Sequence, residues 1–327
     1  MEKKGYPVGT YDVGETNVAK GVAVCLLLWH HLFYEHPEFG SLVHQTGKQA
    51  KICVAMFVFL SGYGLMKTRA LGWSGTVWRF AKIFVGYWTV LAVAVPVSCA
   101  LGRGFAEVYP NGWFPGFLWQ VFGLHCLAGV YPEVFGFNPT WWFMSLLIPL
   151  YAMFPLFARL ARHPGWLVGV AAGMSFWGGL PFGEYPLIFV EGILLAGGGE
   201  FDWLARREEK WKWALAFTAM TVAVWLVHRA APWRNILLAP CLEATVFLWH
   251  KAIGDYGKWL FGGLEILGRH CMDIFLVHTF FLMFIGKWLY NIGNPLAMFA
   301  ALLALSLGTA YALEGLRWML GVPILMK

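Results

Sequence analysis

The chain has 327 residues, of which 59% are hydrophobic and only 13% are charged, and its formal net charge is +6. A soluble globular domain carries about 45–50% apolar and about 25% charged residues, so this excess of apolar side chains cannot be hidden in one water-soluble core. The composition therefore excludes a soluble enzyme, a disordered protein and a nucleic-acid-binding protein, although the isoelectric point is near 9.0.

Apolar runs of about 20 residues, the length that crosses a bilayer as a helix, recur along the chain. They predict ten transmembrane helices. A further apolar stretch, 113–131, is interrupted by Pro115 and by glycines, which leaves it open as an interfacial or re-entrant segment. The predicted spans are 18–34, 52–66, 80–101, 141–158, 165–180, 186–199, 211–228, 235–250, 271–290 and 296–318.

The distribution of basic residues orients these helices. With a cytoplasmic N-terminus and a non-spanning 113–131, only six of the 24 Lys and Arg residues fall on the far side, in agreement with the positive-inside rule. The sequence therefore predicts an all-α, polytopic protein of about ten spans in the plasma or inner membrane, with both termini cytoplasmic. We expect residues 1–327 to form one transmembrane domain without a soluble C-terminal domain.

The six cysteines show no metal-binding or disulfide pattern. None belongs to a CxxC pair and most lie in apolar runs, so we expect small buried hydrophobes and no bound metal. The positions are Cys25, Cys53, Cys99, Cys126, Cys241 and Cys271.

Ionisable residues in the first apolar run are candidates for function, because a charge inside the hydrocarbon is costly. Lys20 and His31 are eleven residues apart, which places them on one helical face roughly 16 Å apart, with Lys20 at the cytoplasmic mouth. Glu35 follows His31 by four residues and is predicted to accept a hydrogen bond from its imidazole. His30 points about 100° away and is the alternative base. One or both histidines could instead bond across the helix bundle.

Small and basic residues follow in the second and third helices. Ser61 and Gly62 allow close approach of either a ligand or a neighbouring helix. A cluster of cations comes next, and it fits either a phosphate clamp or ordinary topology signalling with snorkelling side chains. Its members are Lys67, Arg69, Arg79 and Lys82.

Later spans contribute further candidates for a substrate pocket. Asn138, Trp142 and Tyr151 lie in or next to the fourth span, where aromatic residues also form interfacial belts. Glu191 and His278 lie inside apolar runs, where each either serves the site or pairs within the bundle.

Five stretches, taken in order, resemble the acyltransferase-3 family of integral-membrane O-acyltransferases, which modify cell-envelope glycans and other acceptors. They match the family's first-helix basic-to-His motif, its FFxxSGY, its (K/R)RxxRIxPxYW, its W-F…Y…P helix and its GKxSxxIYxxH. In this chain they read KGVAVCLLLWHH, FVFLSGYGL, WRFAKIFVGYW, NPTWWFMSLLIPLYAMFP and GRHCMDIFLVH.

The resemblance implies transfer of an acyl group, usually acetyl, from cytoplasmic acyl-CoA to a hydroxyl of a glycan or glycolipid on the far side of the membrane. It implies membrane lipid and these substrates as partners, and leaves a homo-oligomer open. By this likeness Lys20 is the basic residue and His31 the essential histidine. The remaining matches are Ser61 and Gly62 for the SG pair, Arg79 and Lys82 for two basic positions, and His278 for the late histidine.

The chain departs from the family pattern at three positions. Lys20 stands where Arg is commoner, Gly86 or Val85 replaces the proline of the third-helix motif, and Cys271 replaces the serine of the late motif. The alternative function is a proton-coupled carrier or flippase for a lipid-linked sugar, which would use the same buried His and Glu residues. The inverted halves typical of such carriers are not evident in the sequence.

Overall fold

The computed structural model describes residues 11–68, 71–110, 112–126, 136–176, 183–227 and 233–322. Within these ranges the secondary structure is helical throughout and contains no strand, which confirms the all-α prediction. Two short 3₁₀ helices, Pro37–Phe39 and Pro139–Trp141, accompany fifteen α-helices. The α-helices are α1 Val13–Phe33, α2 Ser41–Gln49, α3 Ile52–Met66, α4 Trp73–Ala100, α5 Phe105–Val108, α6 Trp113–Val121, α7 Trp142–Leu160, α8 Pro164–Phe176, α9 Tyr185–Gly198, α10 Glu200–Ala205, α11 Lys210–Val227, α12 Arg234–Ile253, α13 Lys258–Arg269, α14 Cys271–Asn291 and α15 Pro295–Met319.

Local sequence signals determine where several of these helices begin. The carboxylate of Asp12 accepts hydrogen bonds from the backbone amides of Gly14 and Glu15, which caps the start of α1. Asn294 caps α15 in the same way, and Pro295 occupies its first position, where a missing amide hydrogen has no cost.

Six helical stretches are long and apolar enough to cross a membrane, so the chain is a polytopic membrane protein by composition and length. Two shorter apolar helices, α8 and α9, accompany them. The six stretches are Ser41–Met66, Trp73–Ala100, Pro139–Leu160, Arg234–Ile253, Cys271–Asn291 and Pro295–Met319.

Each of the ten predicted spans coincides with an α-helix, but ten crossings and cytoplasmic termini remain predictions. Helices α1 and α11 are not among the six candidate membrane spans because their polar and charged residues lower their mean hydropathy. Helices α8 and α9 are not among them because they are short. The described part of 113–131 contains α6, whose nine residues extend only about 14 Å, too little to cross the hydrocarbon. Residues 127–131 lie outside the described ranges.

Glycines bring two helix pairs into backbone contact. A Cβ on Gly21 would lie 2.1 Å from the carbonyl oxygen of Leu264, so α1 and α13 pack directly together. A Cβ on Gly62 would lie 2.1 Å from the carbonyl oxygen of Phe189, where α3 packs on α9. Small residues permit such close helix packing. Gly62 is therefore a helix-packing residue, the second of the two possibilities that its sequence allowed.

Candidate active site

An open cavity of about 460 Å³ lies at the end of α1 that carries His31, which we call the His31 end. Its walls come from the end of α1 and the turn after it, the start of α7 with its preceding 3₁₀ turn, and α14. The lining residues are His31, Tyr34, Glu35, His36, Pro139, Thr140, Trp142, Thr279, Leu282, Met283 and Tyr290.

His31 is the imidazole of α1 that lines this cavity. Its ring is half-buried, and its centroid lies 4.9 Å from that of His278. In the described ranges neither nitrogen of His31 forms a hydrogen bond, so both remain available to a substrate or to a neighbour.

His30 has a different environment. Its Nδ1 donates a hydrogen bond of 2.8 Å to the carbonyl oxygen of Gly47 on α2, and its ring stacks on Tyr34. The imidazole therefore holds α2 against α1. Of the two adjacent histidines, only His31 lines the cavity. This supports the choice of His31 over His30 as the essential histidine of the first-helix motif.

The predicted hydrogen bond from His31 to Glu35 is absent from the described structure. Helix α1 ends at Phe33, so Glu35 lies beyond the last turn and the four-residue spacing no longer places it beside His31. Glu35 is exposed at the cavity rim, and its carboxylate interacts with the Tyr34 hydroxyl. The helical spacing argument was wrong here because it assumed that α1 continues one turn further.

The rim also carries a polar pair outside the helices. His36 Nδ1 hydrogen-bonds to the carboxylate of Glu38 at 2.7 Å, and this bond lowers the pKa of the exposed Glu38 carboxyl. The His36 ring lies 4.2 Å from that of Tyr290. His36 and Glu38 were not candidates from the sequence, because the turn after α1 follows no helical period.

His278 lies behind His31 instead of in the cavity wall. It is fully buried on α14, and its Nδ1 lies 3.1 Å and 2.8 Å from the carbonyl oxygens of Ile274 and Phe275. Its Nε2 is buried and has no hydrogen-bond partner among the residues that the structure describes. The sequence placed His278 in the substrate pocket, and the structure places it one side chain deeper.

Asn138 is also absent from the cavity wall, and it organises the residues that form the wall. Its Oδ1 accepts hydrogen bonds from the hydroxyls of Thr140 and Thr279 and from the Thr140 amide. Its Nδ2 donates to the carbonyl oxygen of Leu276, which also accepts from the indole of Trp141. Asn138 thereby fixes the two threonines that do face the cavity.

A second group of predicted residues lies near Lys20, in the N-terminal half of α1. The hydroxyls of Tyr151 and Ser61 interact, and the Arg79 guanidinium lies close enough to Tyr151 to act on it electrostatically. Cys271 is within electrostatic range of both Tyr151 and Lys20. We call Lys20, Ser61, Arg79, Tyr151 and Cys271 the Lys20 cluster.

The other predicted cations do not join the Lys20 cluster through any contact in the described ranges. Lys82 lies over the ring of Trp78, and Lys67 lies over that of Tyr63. Arg69 lies outside the described residues. Arg79 and Lys82 are three residues apart in α4 and so share the helical face that the sequence predicts, and their joint action on a phosphate stays a prediction.

Glu191 does not join the other residues predicted for the pocket. It is half-buried on α9, its charge acts on Cys241 of α12, and it is not part of the cavity wall. Its Oε2 has no hydrogen-bond partner within the described part of the chain.

Two buried acidic residues, Glu243 and Glu15, lie on the same side of the protein as Lys20. Tyr11 donates a hydrogen bond of 2.8 Å to Glu243, which is fully buried and close enough to Lys20 for electrostatic interaction. Glu15 forms ion pairs with Lys251 and His250 of α12. These partners were not predicted, because the residues that meet are more than 200 positions apart in the chain.

The His31 cavity and the Lys20 cluster lie at different levels of α1, the cavity at its C-terminal end and Lys20 in its N-terminal half. The eleven residues from Lys20 to His31 extend roughly 16 Å along α1. The walls of the cavity include none of the Lys20 cluster. Residues 11–68, 71–110, 112–126, 136–176, 183–227 and 233–322 contain no group of three His, Cys, Asp or Glu side chains that could hold a metal ion.

Fold and site together define a polytopic membrane protein with an imidazole in a polar cavity at the C-terminal end of its first helix and a cluster containing two cations, Lys20 and Arg79, nearer the N-terminal half of that helix. The profile of the acyltransferase-3 family, described as an acyltransferase domain, matches residues 14–315. The chain therefore belongs to this family, as its motifs predict, and is a membrane acyltransferase. Comparison with curated proteins and with solved structures gave no match.

Proposed function

We propose that this protein is an O-acyltransferase of the plasma or inner membrane. It moves an acyl group, usually acetyl, from cytoplasmic acyl-CoA to a hydroxyl of an extracytoplasmic glycan or glycoconjugate. The observation that carries the proposal is His31, whose ring nitrogens form no hydrogen bond in the described structure and whose side chain faces an open cavity.

The cavity has a surface suited to a sugar. Trp142, Tyr34 and Tyr290 supply aromatic faces, and Thr140 and Thr279 supply hydroxyl oxygens that can accept hydrogen bonds, because their hydrogens go to Asn138 Oδ1. A few placed polar groups among aromatic side chains are typical of small-molecule sites. This lining supports an acceptor with both hydroxyls and apolar ring faces.

The chemistry at His31 is general base catalysis. The imidazole removes the proton from the acceptor hydroxyl as its oxygen attacks the acyl carbon. The new C–O bond forms, the thioester C–S bond breaks, and the leaving thiolate takes the proton back from the imidazolium. An acyl-His31 intermediate is the alternative route, in which the imidazole attacks first and the acceptor hydroxyl displaces it.

In this proposal the acyl-CoA donor binds at the Lys20 cluster. Lys20 and Arg79 supply charge-assisted hydrogen bonds to the phosphates of acyl-CoA, and Lys82, Lys67 and Arg69 are the further cations that the sequence predicts for the donor. The acyl-bearing arm then follows α1 for roughly 16 Å to reach His31. Because the cavity wall includes none of the Lys20 cluster, side chains between that cluster and His31 have to separate when the donor binds.

The test is transfer of radiolabel from acetyl-CoA by detergent-purified protein, with loss of label from the donor as the first readout. We expect His31→Ala to abolish transfer and His30→Ala to reduce it only through looser packing of α2. The exposed His163 provides the control, since His163→Ala leaves transfer unchanged. Full transfer by His31→Ala would eliminate the proposed base. An unmodified chain that consumes no acetyl-CoA would favour the carrier or flippase.

A further inference from the structure

We propose that His278 is a positioning residue for His31. In this arrangement His278 Nε2 accepts a hydrogen bond from the ring N–H of His31, which fixes the tautomer of His31 and directs its other nitrogen to the cavity as the base. The inference rests on the proposed role of His31.

The backbone determines the tautomer of His278. The carbonyl oxygens of Ile274 and Phe275 can only accept, so the Nδ1 that lies 3.1 Å and 2.8 Å from them carries the hydrogen. A neutral imidazole with hydrogen on Nδ1 has its lone pair on Nε2. The free end of His278 is therefore an acceptor.

That acceptor needs a donor. Nε2 of His278 is buried without a partner among the described residues, and a buried polar atom left unsatisfied costs about 1–3 kcal/mol. The ring of His31 lies 4.9 Å away between centroids. A hydrogen bond of about 3 Å between two imidazole nitrogens needs centroids roughly 5 Å apart, so in this proposal rotation of the His31 ring completes the bond while His278 keeps its bonds to the backbone.

The location of His278 separates its role from that of a substrate-binding residue. His31 lines the cavity and His278 does not, so His278 reaches the substrate only through His31. The turn of α14 that carries His278 is also fixed by residues of another segment, because Asn138 and Trp141 both donate hydrogen bonds to the carbonyl oxygen of Leu276. A rigid support behind a catalytic base is the arrangement that keeps a histidine in one tautomer.

The proton balance follows from this geometry. The cavity-facing nitrogen of His31 takes the proton from the hydroxyl of the sugar substrate and later gives it to the leaving thiolate. The N–H that faces His278 keeps its hydrogen throughout, and the Nε2 lone pair stabilises the transient imidazolium.

Two substitutions separate positioning from packing. His278→Asn keeps an amide N–H near the carbonyls of Ile274 and Phe275 but removes the acceptor at the far end of the ring. His278→Gln extends an amide oxygen to that far end. We expect His278→Asn to lower kcat roughly 10- to 100-fold with KM for acetyl-CoA and acceptor unchanged, and His278→Gln to recover most of that loss.

The control is His125→Asn. His125 is 2% exposed, neither ring nitrogen has a partner in the described ranges, and it does not line the cavity. It therefore reports the effect of replacing a buried imidazole by an amide elsewhere in the bundle, and we expect kcat within twofold of the unmodified protein. Thermal unfolding and size-exclusion profiles are measured for every variant.

Equal loss of kcat in His278→Asn and His278→Gln would overturn the inference, as would unchanged kcat in His278→Asn. If His31→Ala abolishes transfer and His278→Asn does not, only this inference fails. If His31→Ala retains transfer, the proposed function fails with it.

Discussion

Arg317 of α15 and Asp273 of α14 form a bidentate ion pair between the last two helices, and both side chains are almost fully buried. A pair of charges in an apolar interior is stable only when each has its partner, because removing one leaves an uncompensated buried charge. This pair connects α15 to the helix that carries His278 and Thr279.

We predict that Arg317→Met lowers the free energy of unfolding by about 3–5 kcal/mol, whereas Arg317→Met combined with Asp273→Leu has a much smaller effect. The measurement is urea unfolding in detergent. Arg269→Met is the control: it breaks the exposed ion pair with Glu265, which is worth about 1 kcal/mol or less. A double variant as unstable as the single one would show that the pair contributes something other than charge compensation.

Asn138→Ala is predicted to weaken both the fold and the acceptor site. The hydroxyls of Thr140 and Thr279 lose their shared acceptor, at a cost of roughly 3 kcal/mol, and KM for the acceptor rises because both threonines line the cavity. Unfolding in urea and steady-state kinetics measure the two effects. Asn235→Ala, which removes a hydrogen bond to Glu184 away from the cavity, should leave KM for the acceptor unchanged.

The two basic positions of the third-helix motif are predicted to differ. Arg79 lies beside Tyr151 in the Lys20 cluster, whereas Lys82 lies over Trp78. We expect Arg79→Ala to raise the Kd for acetyl-CoA roughly tenfold or more, and Lys82→Ala to change it less than threefold. Titration calorimetry on the purified protein measures both. Equal weakening by the two substitutions would contradict the assignment of Arg79 alone to the cluster.

Substitutions of Gly62 and Gly64, two residues apart on α3, are predicted to change the free energy of unfolding differently. Gly62→Ala places a methyl group against the backbone of α9, which cannot shift easily, and lowers the free energy of unfolding by roughly 3 kcal/mol. Gly64 has open space around its Cβ position, so Gly64→Ala keeps or raises stability through its better helix propensity. Thermal unfolding compares the pair, and a stable Gly62→Ala protein would argue against close α3–α9 packing.

Much of the site could be predicted because the relevant signals are local. Lys20 and His31 share one continuous helix, so their order and separation follow from helical geometry alone. The same geometry failed for Glu35, since the spacing rule holds only while the helix continues and α1 ends at Phe33. The residue sequence allowed Gly62 to serve either packing or a ligand, and only the position of α9 distinguishes them.

The sequence by itself determined that this chain lies in a membrane, that it is helical, and that it belongs to the acyltransferase-3 family, because hydropathy, helical period and motif order are all properties of contiguous residues. Only the tertiary structure decided which polar side chains meet. His31 and His278, Tyr11 and Glu243, and Asn138 and Thr279 come from distant segments, and their contacts depend on how the helices pack. In an apolar interior each buried polar group must find its partner from another helix, and no local pattern records which helix supplies it.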